Sequence, residues 1–226
     1  MTVFDEARLK DKPGVFEDRF DAGAKLAQLV KRHEGRTDLV LAIPAGGVPV
    51  AVALARVLEI PVDAAVVSKP TLPWTTEAGF GAVAFDGTTR FNAPLVRRTG
   101  LTEREIAEAV AEAQSKVNRR VESFHRRVAF PEIAKKSVMV IDDGLASGFT
   151  MQVAVEAIGH FNPARVTVAV PTAHAASLKA LEPRVDEVFC CNIRHGNRFA
   201  VADAYLHWCD VGEAEAIRLI EESRTR

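Results

Sequence analysis

A doubly wound α/β fold, with a mainly parallel five-stranded sheet and helices on both faces, is what the sequence predicts. Three observations predict it. Five short apolar runs, DLVLAIP, PVDAAVVSK, SVMVID, ARVTVAV and DEVFCCNI, read as strands, since parallel strands covered on both faces show no polar alternation. Helical periodicities separate them. Glycine-rich or acidic turns follow the first and third runs, at the strand ends where ligands of such sheets bind.

In chain order, Asp18 to His33 carries apolar or small residues at Phe20, Ala24, Ala27, Leu29 and Val30, a helical spacing with basic residues near its end. DLVLAIP, the turn PAGGVP, the helical run VAVALARVL and PVDAAVVSK then form a βαβ unit. Residues 70–130 break the rhythm. Pro70, Pro73, Gly79, Gly81 and Gly87 punctuate two weak strand signals, GAVAF and TTRF, and a loop ending near Gly100. Thr102 and Glu105 form a capping box that opens a long polar helix, roughly 103 to 127. Alternation resumes with the SVMVID strand, FTMQVAVEAIG helix, ARVTVAV strand, HAASLKALE helix, DEVFCCNI strand and a last helix from about Glu213 to Glu222. The expected organisation is one domain, 1–226, with an insertion at 70–130.

Charge narrows the partners. With 29 basic against 30 acidic residues, no global field draws the chain to nucleic acid or an anionic membrane, so anion recognition must be local. Cys190, Cys191 and Cys209 have no paired or C-x-x-C spacing and read as small buried hydrophobes in a reducing compartment. MTVFDEARLK lacks a secretory apolar core, and VPVAVALARVL is too short to span a bilayer. A cytoplasmic protein is expected. None of the six histidines has ligand spacing with another, which argues against zinc.

The chemistry concentrates in SVMVIDDGLASGFT, Ser137 to Thr150. Asp142 and Asp143 follow the strand directly, and two such carboxylates repel unless hydroxyl donors, cations or water share them. A sugar diol is one such donor set. GLASGFT then supplies small residues, the hydroxyls of Ser147 and Thr150, and a helix start whose free N–H groups and dipole suit a phosphate. Together they describe a ribose 5-phosphate site. Helix capping or a metal site is the plainer use of acids at a strand end.

The pattern VMVIDDGLASGFT resembles the phosphoribosyl pyrophosphate (PRPP) motif of type I phosphoribosyltransferases. The phrases DRFDAGAKLA, AIPAGGVPVA, VIDDGLASGFTM and ADAYLHWCDV extend the resemblance, end to end, to a bacterial group of such transferases. It implies a Mg²⁺-dependent glycosyltransferase of nucleotide metabolism that moves ribose 5-phosphate from PRPP to a nitrogenous acceptor and releases diphosphate. The implied catalytic residues are Asp142, Asp143 and Lys69. Ala45, Gly46 and Gly47 with Lys69 would hold diphosphate, and Ala146, Ser147, Gly148, Phe149 and Thr150 the 5-phosphate. Asp142 and Asp143 would orient ribose and hold Mg²⁺ directly or through water.

Two departures matter. Relatives carry P-R-G-G where this chain has Ala45, which removes a guanidinium from the diphosphate loop. Family members acting on 6-oxopurines place a third acid where Ala146 stands, so the resemblance points away from hypoxanthine or guanine. A lid is expected in the 70–130 insertion, with Trp74 to Phe85 and Arg119 to Arg127 as candidates beside the plainer reading of a solvated helix face. Phe199, Tyr205, His207 and Trp208 are candidates for an acceptor hood or for core packing. His125 and His195, among arginines, could touch phosphate or simply lie on exposed loops. A homodimer is the default assembly. Two rival readings stand: a non-catalytic PRPP or nucleotide sensor on the same fold, and a phosphotransfer enzyme using Asp142 as nucleophile.

Overall fold

The computed structural model describes residues 1–33, 36–75, 79–125, 130–196 and 198–225. In chain order its elements are β1 (Thr2–Asp5), α1 (Arg19–Arg32), β2 (Leu39–Ala42), α2 (Gly47–Leu58), β3 (Val62–Ala64), β4 (Val67–Ser68), β5 (Gly81–Ala84), β6 (Thr89–Phe91), α3 (Ala93–Thr99) and α4 (Glu103–Phe124). There follow β7 (Ser137–Ile141), α5 (Phe149–Gly159), β8 (Arg165–His174), α6 (Ala175–Lys179), β9 (Glu187–Arg194) and α7 (Glu213–Arg224).

Alternate side chains of each central strand enter opposite cores. Val40 and Ala42 of β2 join Met139 and Ile141 of β7 under α1, α2 and α7. Leu39 and Leu41 join Val138 and Val140 under α5 and α6. Both faces are therefore apolar, which is why these strands read as unbroken apolar runs. Each such side chain, fully buried, contributes about 1.5–3 kcal/mol of transfer free energy. α1 and α2 touch backbone to backbone: a methyl group on Gly23 would lie 2.3 Å from the Val50 carbonyl oxygen.

The main sheet has six strands in the order β1-β9-β8-β7-β2-β3, one more than the five expected. All its pairings are parallel. The extra strand, β1, is an edge strand with three of its four residues exposed, so it lacks the continuous apolar run that marks a central strand. PVDAAVVSK is not one strand. Its first half is β3, while β4 turns away to pair antiparallel with β5 in a second sheet, β4-β5-β6. Apolar composition alone carries no sign of that change of direction.

GAVAF and TTRF supply β5 and β6. The capping box of Thr102 and Glu105 is present, and α4 runs to Phe124 with His125 as its cap. The loop expected near Gly100 instead contains α3, capped by the Asn92 side chain and closed by Gly100 at φ +66°. HAASLKALE yields only five helical residues. Among the described residues no helix is long and apolar enough to cross a membrane.

β2 leads to β3 on one side, whereas β7 leads to β8 and β9 on the other. The strand order therefore reverses between β2 and β7, whose last residues Ala42 and Ile141 are register partners. Ile43 N–H continues the pairing to the Ile141 carbonyl at 2.8 Å. The peptides Pro44–Gly47 and Asp142–Gly148 leave the sheet side by side there, in the crevice such a reversal opens.

Candidate active site

A cavity of about 510 Å³ occupies this crevice. Its walls include Pro44, Gly46, Ser68, Lys69, Asp142, Asp143, the peptide Gly144–Met151, Lys116 and Arg120 of α4, and Trp208. Five separate stretches of sequence thus meet, because β2, β4, β7, α4 and the segment carrying Trp208 all present an end or face to one opening.

The two acids are held differently. Asp143 N–H donates to Asp142 Oδ1 at 2.9 Å. Burial, and then the neighbouring Asp143 charge, push the Asp142 carboxyl well above the usual carboxylate range, opposed in part by Lys69. Asp143 has a cation of its own. Arg19, at the start of α1, donates from Nε to Asp143 Oδ2 at 2.9 Å, and its Nη2 lies 2.9 Å from the same oxygen. Its Nη1 donates to the Cys209 carbonyl at 2.7 Å, and the guanidinium carbon lies 3.7 Å from the Trp208 ring centroid. The Tyr205 hydroxyl donates to the Asp143 carbonyl at 2.6 Å, and burial raises its pKa.

The loop after the acids is tied to its neighbours. Leu145 pairs with β8 through Leu145 N–H to Thr172 O and His174 N–H to Leu145 O, both 3.0 Å. Ser177 Oγ donates to the Ala146 carbonyl. Gly148 turns the chain at φ +69°, a torsion that favours glycine, and α5 starts at once. Phe149 N–H donates to Ser147 Oγ at 3.3 Å, and Gln152 N–H begins the helical ladder to Gly148 O. The N–H groups of Thr150 and Met151 lie in the first turn, where no intrahelical acceptor exists. With the dipole of α5 behind them, they have the polarity that suits an anion.

The opposite wall starts with a cis peptide between Pro44 and Ala45. Gly47 N–H already donates to the Ile43 carbonyl at 3.1 Å. A methyl group on Gly47 would lie 2.8 Å from Ile141 O and 2.9 Å from Asp142 Cα. The glycine pair therefore makes room for the acids, besides any contact it offers a ligand. Ala45 packs against the core and is absent from the cavity walls, as is Gly47. Lys69 projects from the end of β4, its stem against Gly79.

Two residues without an expected role join the site: Arg19 backs Asp143, and Lys116 faces the cavity beside Arg120, a lid candidate whose Nε also pairs with Glu213 at 2.9 Å. The i, i+4 spacing of Lys116 and Arg120 could have placed both on one helix face. Nothing local pairs Arg19 with an acid 124 positions away. Of the lid candidates, Trp74 is 63 % exposed, and residues 76–78, Arg126 and Arg127 lie outside the described residues. Of the hood candidates, Trp208 lines the cavity and Tyr205 stands behind it. Phe199 meets His174, and His207 pairs with Glu17 at 3.0 Å. His125 and His195 pair with Asp63 and Asp11, and neither lines the cavity.

The family model described as "Phosphoribosyl transferase domain" matches residues 89–205, just over half of the chain. A curated Mycobacterium tuberculosis H37Rv protein, "Putative phosphoribosyl transferase Rv0571c", is 30 % identical over 209 residues, 92 % of this chain. The chain spans about half the length of that relative, 47 %. The crystal structure of TT1426 from Thermus thermophilus superposes with a TM-score of 0.73 at 28 % identity, covering 92 % of this chain and 98 % of that one.

Proposed function

Because this chain belongs to the phosphoribosyl transferase domain family, we propose that it transfers ribose 5-phosphate from PRPP to a nitrogenous acceptor and releases diphosphate. One observation carries the reading: an acid pair, a helix-start anion cradle and Lys69 converge on a single cavity at the strand-order reversal.

In this reading the 5-phosphate sits against Ala146 to Thr150, on the free amides of the first turn of α5. Asp142 and Asp143 accept from the ribose hydroxyls. Diphosphate lies toward Gly46 and Lys69, with Lys116 across the cavity, while Ala45 and Gly47 stand behind that wall. Positive charge develops on the ribose carbon as diphosphate leaves, so Asp143, and Asp142 once ionised, stabilise the sugar while the lysines stabilise the leaving group. A magnesium ion, when bound, neutralises diphosphate oxygens. Two adjacent carboxylates fit the small share of ligands it takes from protein when substrate supplies the rest. The insertion at 70–130 is the part of the 1–226 domain assigned to closing over the site and excluding water. We place the protein in the cytoplasm, as a homodimer, with no nucleic-acid or membrane partner.

Ala45 favours a second reading, a sensor that binds PRPP without turning it over. Incubation with PRPP, Mg²⁺ and a panel of bases and amines separates the two. Diphosphate release that needs both the metal and one acceptor supports the transferase. Tight PRPP binding with no release across the panel supports the sensor, and no PRPP binding rejects both.

A further inference from the structure

Resting on the PRPP reading above, we propose that Arg19 is a positioning residue for the ribose-binding acid. Its guanidinium fixes Asp143 Oδ2 at the cavity wall, leaves Oδ1 as the oxygen offered to ligand, and is itself fixed by the segment 205–209.

The Arg19 side chain is 7 % exposed, and a charge so withdrawn from water needs its donors satisfied. Nε and Nη2 take Asp143 Oδ2, Nη1 takes the Cys209 carbonyl, and one face lies on the Trp208 indole. These contacts need a planar fork with divergent donors and a stacking face, which a lysine ammonium does not have. Oδ2 is closed from the other side as well, since a methyl group on Gly46 would lie 2.2 Å from it and 3.4 Å from Oδ1. The Asp143 main chain is held by Tyr205, from the same segment that holds Arg19. Both ends of Asp143 therefore depend on residues 205–209.

The acid pair divides its labour on this account. Asp143 is oriented before ligand arrives, so little ordering remains to oppose binding. No ion pair restrains Asp142 among the described residues; it is held instead through its Oδ1 by the Asp143 amide at 2.9 Å. Trp208 both stacks on Arg19 and lines the cavity, so a ring entering on that side presses on the support of the acid.

The test compares Arg19→Met, Arg19→Lys, Asp143→Asn and the double variant Arg19→Met/Asp143→Asn by calorimetric titration with PRPP and Mg²⁺, with thermal unfolding alongside. Arg19→Met should weaken PRPP binding about tenfold or more. Arg19→Lys, which keeps charge and loses the fork, should fall between it and wild type. The double variant should bind no more weakly than the weaker single variant, because Arg19 acts through Asp143. Wild-type affinity in Arg19→Met, or losses that multiply in the double variant, would overturn the assignment. If Arg19→Met does not fold, Arg19→Lys and its double with Asp143→Asn carry the same comparison.

A second arm needs no ligand. The chain has two tryptophans, so in a Trp74→Phe background Trp208 is the sole emitter. Releasing the guanidinium from Asp143 changes the charge on the indole face. Asp143→Asn should shift the emission and Asp142→Asn should not. An unmoved emission in Asp143→Asn refutes the link, whereas a wild type that binds no PRPP overturns the functional reading alone and leaves this arm to decide.

Discussion

Gly46 and Asp143 occupy the same space: a methyl group on the Gly46 Cα would lie 2.2 Å from Asp143 Oδ2. The Gly46 backbone is right-handed helical, φ −60° and ψ −35°, so torsion does not require glycine there. The acid does. Gly46→Ala should displace Asp143, weaken PRPP binding about tenfold, and destabilise the fold by about 1–3 kcal/mol through overpacking. Gly159→Ala is the control. Its methyl group meets nothing within 4 Å at the end of α5, and helix propensity alone should add about 0.5–1 kcal/mol. Urea unfolding of both variants reads opposite signs.

Asp142 is held against its own charge. Its folded pKa lies well above its ordinary 3.8, so the native chain keeps a proton that the unfolded chain has released. Stability therefore declines as pH rises from the ordinary carboxylate range through the raised value. Asp142→Asn removes that decline. At neutral pH it should unfold roughly 2–4 °C higher, equivalent to about 1 kcal/mol for a chain of this size, while losing PRPP affinity. An unfolding temperature below wild type at neutral pH would contradict the assignment of strain to this acid.

The three thiols should divide cleanly. Burial raises Cys190 and pushes Cys191 up to about 12, and both are closed to solvent, whereas Cys209 is exposed. A thiolate-selective reagent at neutral pH should modify Cys209 alone in the folded protein and all three in denaturant. Peptide mapping by mass spectrometry decides it.

Asp63, in β3, is a hub away from the cavity. It lies 2.9 Å from His125 Nε2 and 2.7 Å from Arg224 Nη2, and accepts from the Ala64 amide at 2.7 Å. Asp63→Ala strands the Arg224 guanidinium and the His125 imidazole, and should cost about 3 kcal/mol in urea unfolding. PRPP affinity below the transition should stay unchanged, because Asp63, His125 and Arg224 lie off the cavity walls.

Much of the architecture is written in short windows. A strand buried on both faces must be apolar throughout, so five of the six main-sheet strands announce themselves, and β1, an exposed edge, does not. A capping box is a local pattern of four residues, so the start of α4 is legible from Thr102 and Glu105. The acids after β7 and the small-residue start of α5 are legible for the same reason: strand end, turn and helix cap are contiguous.

What the sequence could not disclose is what faces what. The bend that sends β4 out of the main sheet leaves no trace in an apolar run, because Val67 is as buried in one sheet as it would be in the other. The glycine pair invites an anion-cradle reading, yet side chains there would meet the Asp143 carboxylate and the Ile141–Asp142 backbone, a proximity created by the pairing of Ala42 with Ile141. Arg19 and Trp208 are ordinary letters until folding brings them within 3.7 Å of each other and the guanidinium onto Asp143. Local order follows from covalent neighbours. The partners of a charge follow from the packing of the whole chain, which alone determines where water is absent and where a counter-ion must stand.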